Sequence, residues 1–160
     1  MSIQPERSDT KTRTLSLRVT DAEYKRIREI ARRLNASESA VVRYAIRSML
    51  KRNGALADPA SSGYSLIPLF VEHGPELISY FDLDATHLDR IFNGETANKE
   101  QHIDSADLAL LSTTRLGETH IHAKLREMHL QGIEQGDAAS TLRGYFYKKY
   151  IYQPRTSGNT

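Results

Sequence analysis

Three groups of residues in this chain of 160 have types and spacing that could do chemistry. His120-Ile121-His122 would offer two imidazoles to a divalent metal, with Tyr145 or Tyr147 of the downstream run Tyr145-Phe146-Tyr147-Lys148-Lys149 as a nucleophile toward a phosphodiester. That use needs both rings on one face, which a spacing of two gives on a strand and not on a helix. Glu118 to Gln131 has the pattern of a helix and no neighbouring strands are evident, so the metal-nuclease chemistry is disfavoured. Glu118, His122 and His129 recur at helical spacings of four and seven and could hold zinc or nickel; solvated polar residues of a helix surface explain them equally simply.

The third group is Tyr145 to Tyr152, where five aromatic residues surround two lysines. Aromatic rings interleaved with cations can stack single-stranded bases, and a Tyr-rich surface also suits a protein interface. The plainer alternative, which is preferred, is a buried final helix with Phe146, Tyr150 and Tyr147 toward a core. No nucleophile, acid and base cluster together anywhere, so the expectation is a non-enzyme without catalytic residues, metal or cofactor.

A fourth pattern, TRTLSLRVTDAEYKRIREIARRLNASESAVVRYAIRSMLKR over residues 12–52, is the most informative. From Thr14 to Val19 the period is two, with Leu15, Leu17 and Val19 on one face and Thr14, Ser16 and Arg18 on the other. No turn leads to a second strand, so this strand must find its partner in a second copy, giving a two-stranded antiparallel ribbon in a dimer. Such a ribbon fits the DNA major groove.

Two helices must position that strand. Thr20-Asp21-Ala22-Glu23 forms a capping box that starts the first helix at about Asp21. Tyr24, Ile27, Ile30, Ala31 and Leu34 then make one apolar stripe, with Lys25, Arg26, Arg28, Arg32 and Arg33 around the other side. Asn35-Ala36 supplies the stop, because Asn tolerates the left-handed conformation. Ser37 caps a second helix whose inward residues are Ala40, Val41, Ala45, Met49 and Leu50, broadened by Val42 and Ile46, until Asn53-Gly54 ends it.

Strand, box, helix, turn and cap in this order resemble the ribbon-helix-helix family, the fold of the Arc and methionine repressors and of small plasmid copy-number regulators. The resemblance covers 12–53, about a quarter of the chain, and rests on Thr14-Leu15-Ser16-Leu17-Arg18-Val19, on Val19 to Tyr24 and on Asn35 to Ala40. Family members usually carry Gly where Asn35 stands. The resemblance implies that Thr14, Ser16 and Arg18 read base edges. It also implies that Ser37, Glu38 and Ser39 hold a backbone phosphate at the start of the second helix, with Lys11 and Arg13 adding phosphate contacts.

Charge agrees with this division. Residues 1–53 hold 13 Lys+Arg against 6 Asp+Glu, a balance of +7, while the remaining 107 hold 9 against 14, a balance of −5. The basic character belongs to the expected DNA-binding end. Ala55 to Ser65, ALADPASSGYS, is a Pro, Gly and Ser cluster and the one convincing boundary. The expected organisation is a flexible arm at 1–11, a ribbon-helix-helix domain at 12–54, a linker at 55–65, a helical oligomerisation or partner-binding domain at 66–152, and a disordered tail at 153–160. Helical segments are expected over Leu66–His73, Pro75–Phe81, Thr86–Phe92, Asp104–Leu111, Glu118–Gln131 and Asp137–Tyr150. Zero Cys excludes disulfides, and the lack of an apolar run near 18 residues or a signal-peptide core points to a cytoplasmic protein with no membrane partner.

The chain is therefore expected to be mainly α: an intertwined ribbon-helix-helix dimer, or a dimer of dimers, with an all-helical carboxy-terminal domain. Its expected function is sequence-specific binding of double-stranded DNA as a transcriptional repressor or autoregulator. The alternative is a relaxosome accessory protein bound at a plasmid origin of transfer, with the carboxy-terminal domain docking a protein partner. An antitoxin stands third, weakened by the capped helices of that domain.

Overall fold

The computed structural model describes residues 13–94, 98–128 and 137–152. The expectations for the arm at 1–11 with Lys11, for His129 and for the tail at 153–160 lie outside the described residues. The chain divides into two compact units, Met1–Ser48 and Met49–Thr160.

The first unit is built by local chemistry. Residues 13–20 carry no regular secondary structure. The expected strand over 14–19 is thus not formed in the single chain. The reason is physical: a strand is held by ladder hydrogen bonds to a second strand, and among the described residues this chain supplies none. α1 (Asp21–Arg33) starts where the capping box places it, with the Thr20 hydroxyl accepting from the Glu23 amide at 3.3 Å and the Glu23 carboxylate accepting from the Thr20 amide at 2.7 Å. Asn35 takes φ +48, and the Ala36 amide closes the turn on the Ala31 carbonyl at 3.0 Å. The Ser37 hydroxyl then accepts from the Ala40 amide at 3.2 Å and opens α2 (Glu38–Arg52).

The second unit is a helical bundle. α3 (Gly54–Ala57) and a tight turn at Gly63–Leu66 lead into α4 (Ile67–Tyr80), followed by α5 (Ala85–Asn93), α6 (Ser105–Ser112), α7 (Glu118–Glu127) and α8 (Ala138–Phe146), which continues as a π-helical turn over Tyr147–Tyr152. The stretch at 55–65 was expected to lack structure. Instead it holds most of α3 and the start of the tight turn, and it packs inward: Gly63 is buried, with φ +53 and so little room that a Cβ would stand 2.2 Å from the Gln101 carbonyl.

The expected break at His73-Gly74 does not occur, and α4 runs through Pro75. Proline inside a helix costs about 3 kcal/mol. Ile67, Phe70, Gly74 and Ile78 lie along one buried stripe at spacings of three, four and four, and each large apolar side chain buried there returns about 1.5–3 kcal/mol. Burial outweighs the proline, and Gly74 fits because a Cβ there would already touch Phe70 at 3.4 Å.

The core joins Ile67, Phe70 and Ile78 of α4 to Leu88 and Phe92 of α5, Leu108, Leu110 and Leu111 of α6, Ile121 and Leu125 of α7, and Leu142 and Phe146 of α8. Phe70 and Phe92 meet at 4.8 Å between ring centroids. Asn93 fastens the chain ahead of α6, its side chain donating to the Ile103 carbonyl at 2.9 Å and accepting from the Ile103 amide at 2.8 Å. No described helix is long and apolar enough to cross a membrane.

Candidate nucleic-acid interface

The residues expected to read bases, Thr14, Ser16 and Arg18, all lie in the irregular segment before α1 and are solvent-exposed, as is Arg13. Ser37, Glu38 and Ser39 are gathered at the start of α2 by the Asn35 turn. The Ala40 amide is already taken by the Ser37 carbonyl and hydroxyl, so an incoming phosphate would meet the amides of Glu38 and Ser39. The Glu38 carboxylate lies beside the Tyr24 hydroxyl and holds that phenol above its ordinary range, first through hydrogen bonding and then through charge.

The basic side of α1 is partly neutralised within the helix. Glu29 accepts from Arg32 at 2.7 and 2.9 Å and from Arg33 at 2.9 Å, and these hydrogen bonds hold its carboxyl below the usual range. All three side chains face solvent, so the pairs orient the guanidinium groups and add little stability.

The apolar stripe of the first unit is present but uncovered. Ala31 is its one buried apolar residue, while Leu15 is 81% exposed, Leu17 62% and Leu34 67%, and Tyr24 and Ile30 are also exposed. Ile27, Val41, Val42 and Ile46 are half-buried.

The aromatic and cationic run of the second unit is internal. Phe146 and Tyr150 are buried, which removes them from base stacking, and only Tyr152 of the five rings is fully exposed. The run encloses Asp107, a fully buried carboxylate inside the otherwise apolar α6. Asp107 accepts from the Tyr145 hydroxyl at 2.7 Å, from Lys149 Nζ at 2.6 Å and from the Tyr150 hydroxyl, which itself accepts from the Asp104 amide at 3.1 Å. Lys149 also pairs with Asp104 at 2.7 Å. Burial, and then the hydrogen bond to Asp107, push the Tyr145 phenol up to about 12. Tyr150 is raised by the same two causes in the same order. Burial works against the charge on Lys149, but the two carboxylates overcome it and hold the ammonium above its usual range.

Sequence reasoning did not find this network. Its one signal was a lone acidic residue within the apolar run Asp107 to Leu111; its partners stand 38 to 43 positions away. His120 and His122 lie on α7, the first exposed and the second half-buried, so the helix turns them apart as their spacing requires. Among the described residues no group of three His, Asp or Glu is placed to hold a metal ion. No protein-family model matches the chain, nor does any curated protein or solved structure.

Proposed function

We propose that two copies of this chain join through residues 13–52 and bind double-stranded DNA sequence-specifically, with segments 14–19 pairing as an antiparallel ribbon in the major groove, in the manner of a repressor or autoregulator. The observation that carries this reading is the uncovered apolar stripe of the first unit. Leu15, Leu17 and Val19 alternate in the sequence of the segment before α1, Tyr24 and Ile30 follow on α1 with Leu34 at its end, and all six are exposed in the single chain. A second copy meets both needs at once, covering the stripe and giving the segment a ladder partner. On that pairing Thr14, Ser16 and Arg18 face the groove, while the α2 start offers two amides to a phosphate. The +7 balance of residues 1–53 supports an anionic polymer as ligand.

The test is selection of preferred duplexes from a random pool, followed by mobility-shift titration of Arg18→Ala on the selected and a scrambled duplex. A bidentate contact to guanine predicts a loss of about 1–3 kcal/mol on the selected duplex and little on the scrambled one. Equal losses on both would assign Arg18 to phosphate, and failure of the wild-type chain to enrich any duplex would overturn DNA recognition itself.

A further inference from the structure

The second unit contains a cleft of about 190 Å³ that the DNA-binding reading does not use. Its walls are two helix faces. Met49, Arg52 and Asn53 come from the end of α2, and His73, Glu76, Leu77 and Tyr80 from α4 at spacings of three, one and three, with Phe81 at one end. Tyr80 and Phe81 meet edge to face at 4.9 Å and are both largely exposed.

Three features of this cleft point to a ligand of definite charge. Arg52 and Glu76 carry opposite charges into it, and neither makes an ion pair with any described side chain. Asn53 donates to the Met49 carbonyl at 3.0 Å, which leaves its Oδ1 buried and without a hydrogen-bond partner. A buried acceptor in that state is costly, and a ligand N–H would relieve it. The remaining lining, Met49, Leu77 and the aromatic pair, is apolar. The cleft thus presents a guanidinium with a neighbouring imidazole for an anion, a carboxylate with an orphaned amide oxygen for a cation, and an apolar wall between helices.

We propose that this cleft binds a free α-amino acid with an apolar side chain: the carboxylate against Arg52 and His73, the ammonium against Glu76 and Asn53 Oδ1, and the side chain over Leu77, Met49 and Phe81. An α-amino acid is a small, common metabolite that carries both charged groups and an apolar body on one carbon, and the cleft is too small for a drug-sized ligand. The proposal stands independently of DNA binding. Because Arg52 closes α2, however, occupancy would stiffen the far end of the helix whose first turn bears Ser37 and Ser39.

Isothermal titration of the full-length chain with L-phenylalanine and L-leucine tests this, with 3-phenylpropionate, phenethylamine and glycine as analogues that each lack one of the three recognised parts. The expected result is saturable binding of one or both amino acids, one per chain, with each analogue weaker by about tenfold or more, the worth of one charge-assisted hydrogen bond. Arg52→Gln and Glu76→Gln replace exposed side chains and should each weaken binding by a similar factor while the circular dichroism spectrum stays unchanged. Absence of saturation up to about 10 mM, equal binding of the deaminated or decarboxylated analogue, or wild-type affinity in both variants would each overturn the proposal.

Discussion

The two units of this chain use amphipathic helices to opposite ends. In the second, α4 to α8 turn their apolar stripes toward one another and close a core in which Phe70, Phe92 and Phe146 are fully buried. In the first, α1 and α2 have comparable stripes, yet Ala31 is the sole buried apolar residue among those described. The helices of the first unit are held by caps and turns, and those of the second by packing. A helical pair of this size cannot bury enough surface alone, whereas five helices can. Local signals therefore specify the shape of the first unit without completing its stability, and the proposed pairing of two copies would supply the rest.

The largest effect that could break this comparison is at Leu17. In a paired ribbon Leu17→Ser removes two buried leucines, one from each copy, and should weaken association by about 3–6 kcal/mol, at about 1.5–3 kcal/mol for each. Sedimentation across a dilution series reads it, and an unchanged size would show that the exposed stripe is not the contact between copies. Nearly as large is Asp107→Ala, which takes the acceptor from the hydroxyls of Tyr145 and Tyr150 and one of two carboxylates from Lys149, leaving the ammonium to Asp104 and to the Tyr145 hydroxyl at 3.3 Å. About 3–5 kcal/mol should be lost from urea unfolding of the second unit. Full retention of DNA binding below the shifted midpoint would show that the units are independent.

A smaller change sharpens the contrast from the other side. Thr20→Ala deletes one cap and should remove about 1 kcal/mol of helix stability from α1, seen as lost helical circular dichroism at high dilution. Asp84→Ala, at the equivalent cap of α5, should cost a similar amount but leave α5 helical, because Leu88 and Phe92 are anchored in the core. The contribution read along the pH axis belongs to Tyr145. Its phenol is raised from the ordinary value near 10 to about 12 in the folded chain, so its contribution is complete below pH 10 and is lost as pH rises toward 12. Tyr145→Phe should flatten that part of the alkaline stability profile, with tyrosinate absorbance as the measure.

What was legible in the sequence was chemistry confined to a few neighbouring residues. The Thr20–Glu23 box, the left-handed Asn35 and the Ser37 cap each depend on groups at most five positions apart, and each stands where its residues place it. The starts of α5 and α8 are held by the same kind of local contact, the side chains of Asp84 and Asp137 accepting from amides two or three residues on. What was illegible depended on distant partners. Pro75 signals a break unless one knows that Phe70 and Ile78 are both buried beside it, and ALADPASSGYS looks like linker unless Gln101 is known to press on Gly63. The Arg52 and Glu76 cleft joins positions 24 apart and left no local pattern at all. The run Asp137 to Tyr150 was seen as helical, but its inward-facing lysine was hidden because the balancing carboxylates lie on α6 and just before it.

The π-helical turn at Tyr147–Tyr152 bears on how this chain can change length. Its i to i+5 hydrogen bonding lets Tyr145, Lys149 and Tyr150 all reach one carboxylate, a grouping that regular α geometry would spread around the helix. At an unchanged length, regular α winding would carry Tyr150 about 140° around the helix from Tyr145 and away from that carboxylate. Loss of one residue between 146 and 149 with a return to α winding would set Tyr150 four positions after Tyr145, about 40° away, so this turn should absorb a one-residue deletion as readily as a change at the exposed Lys148.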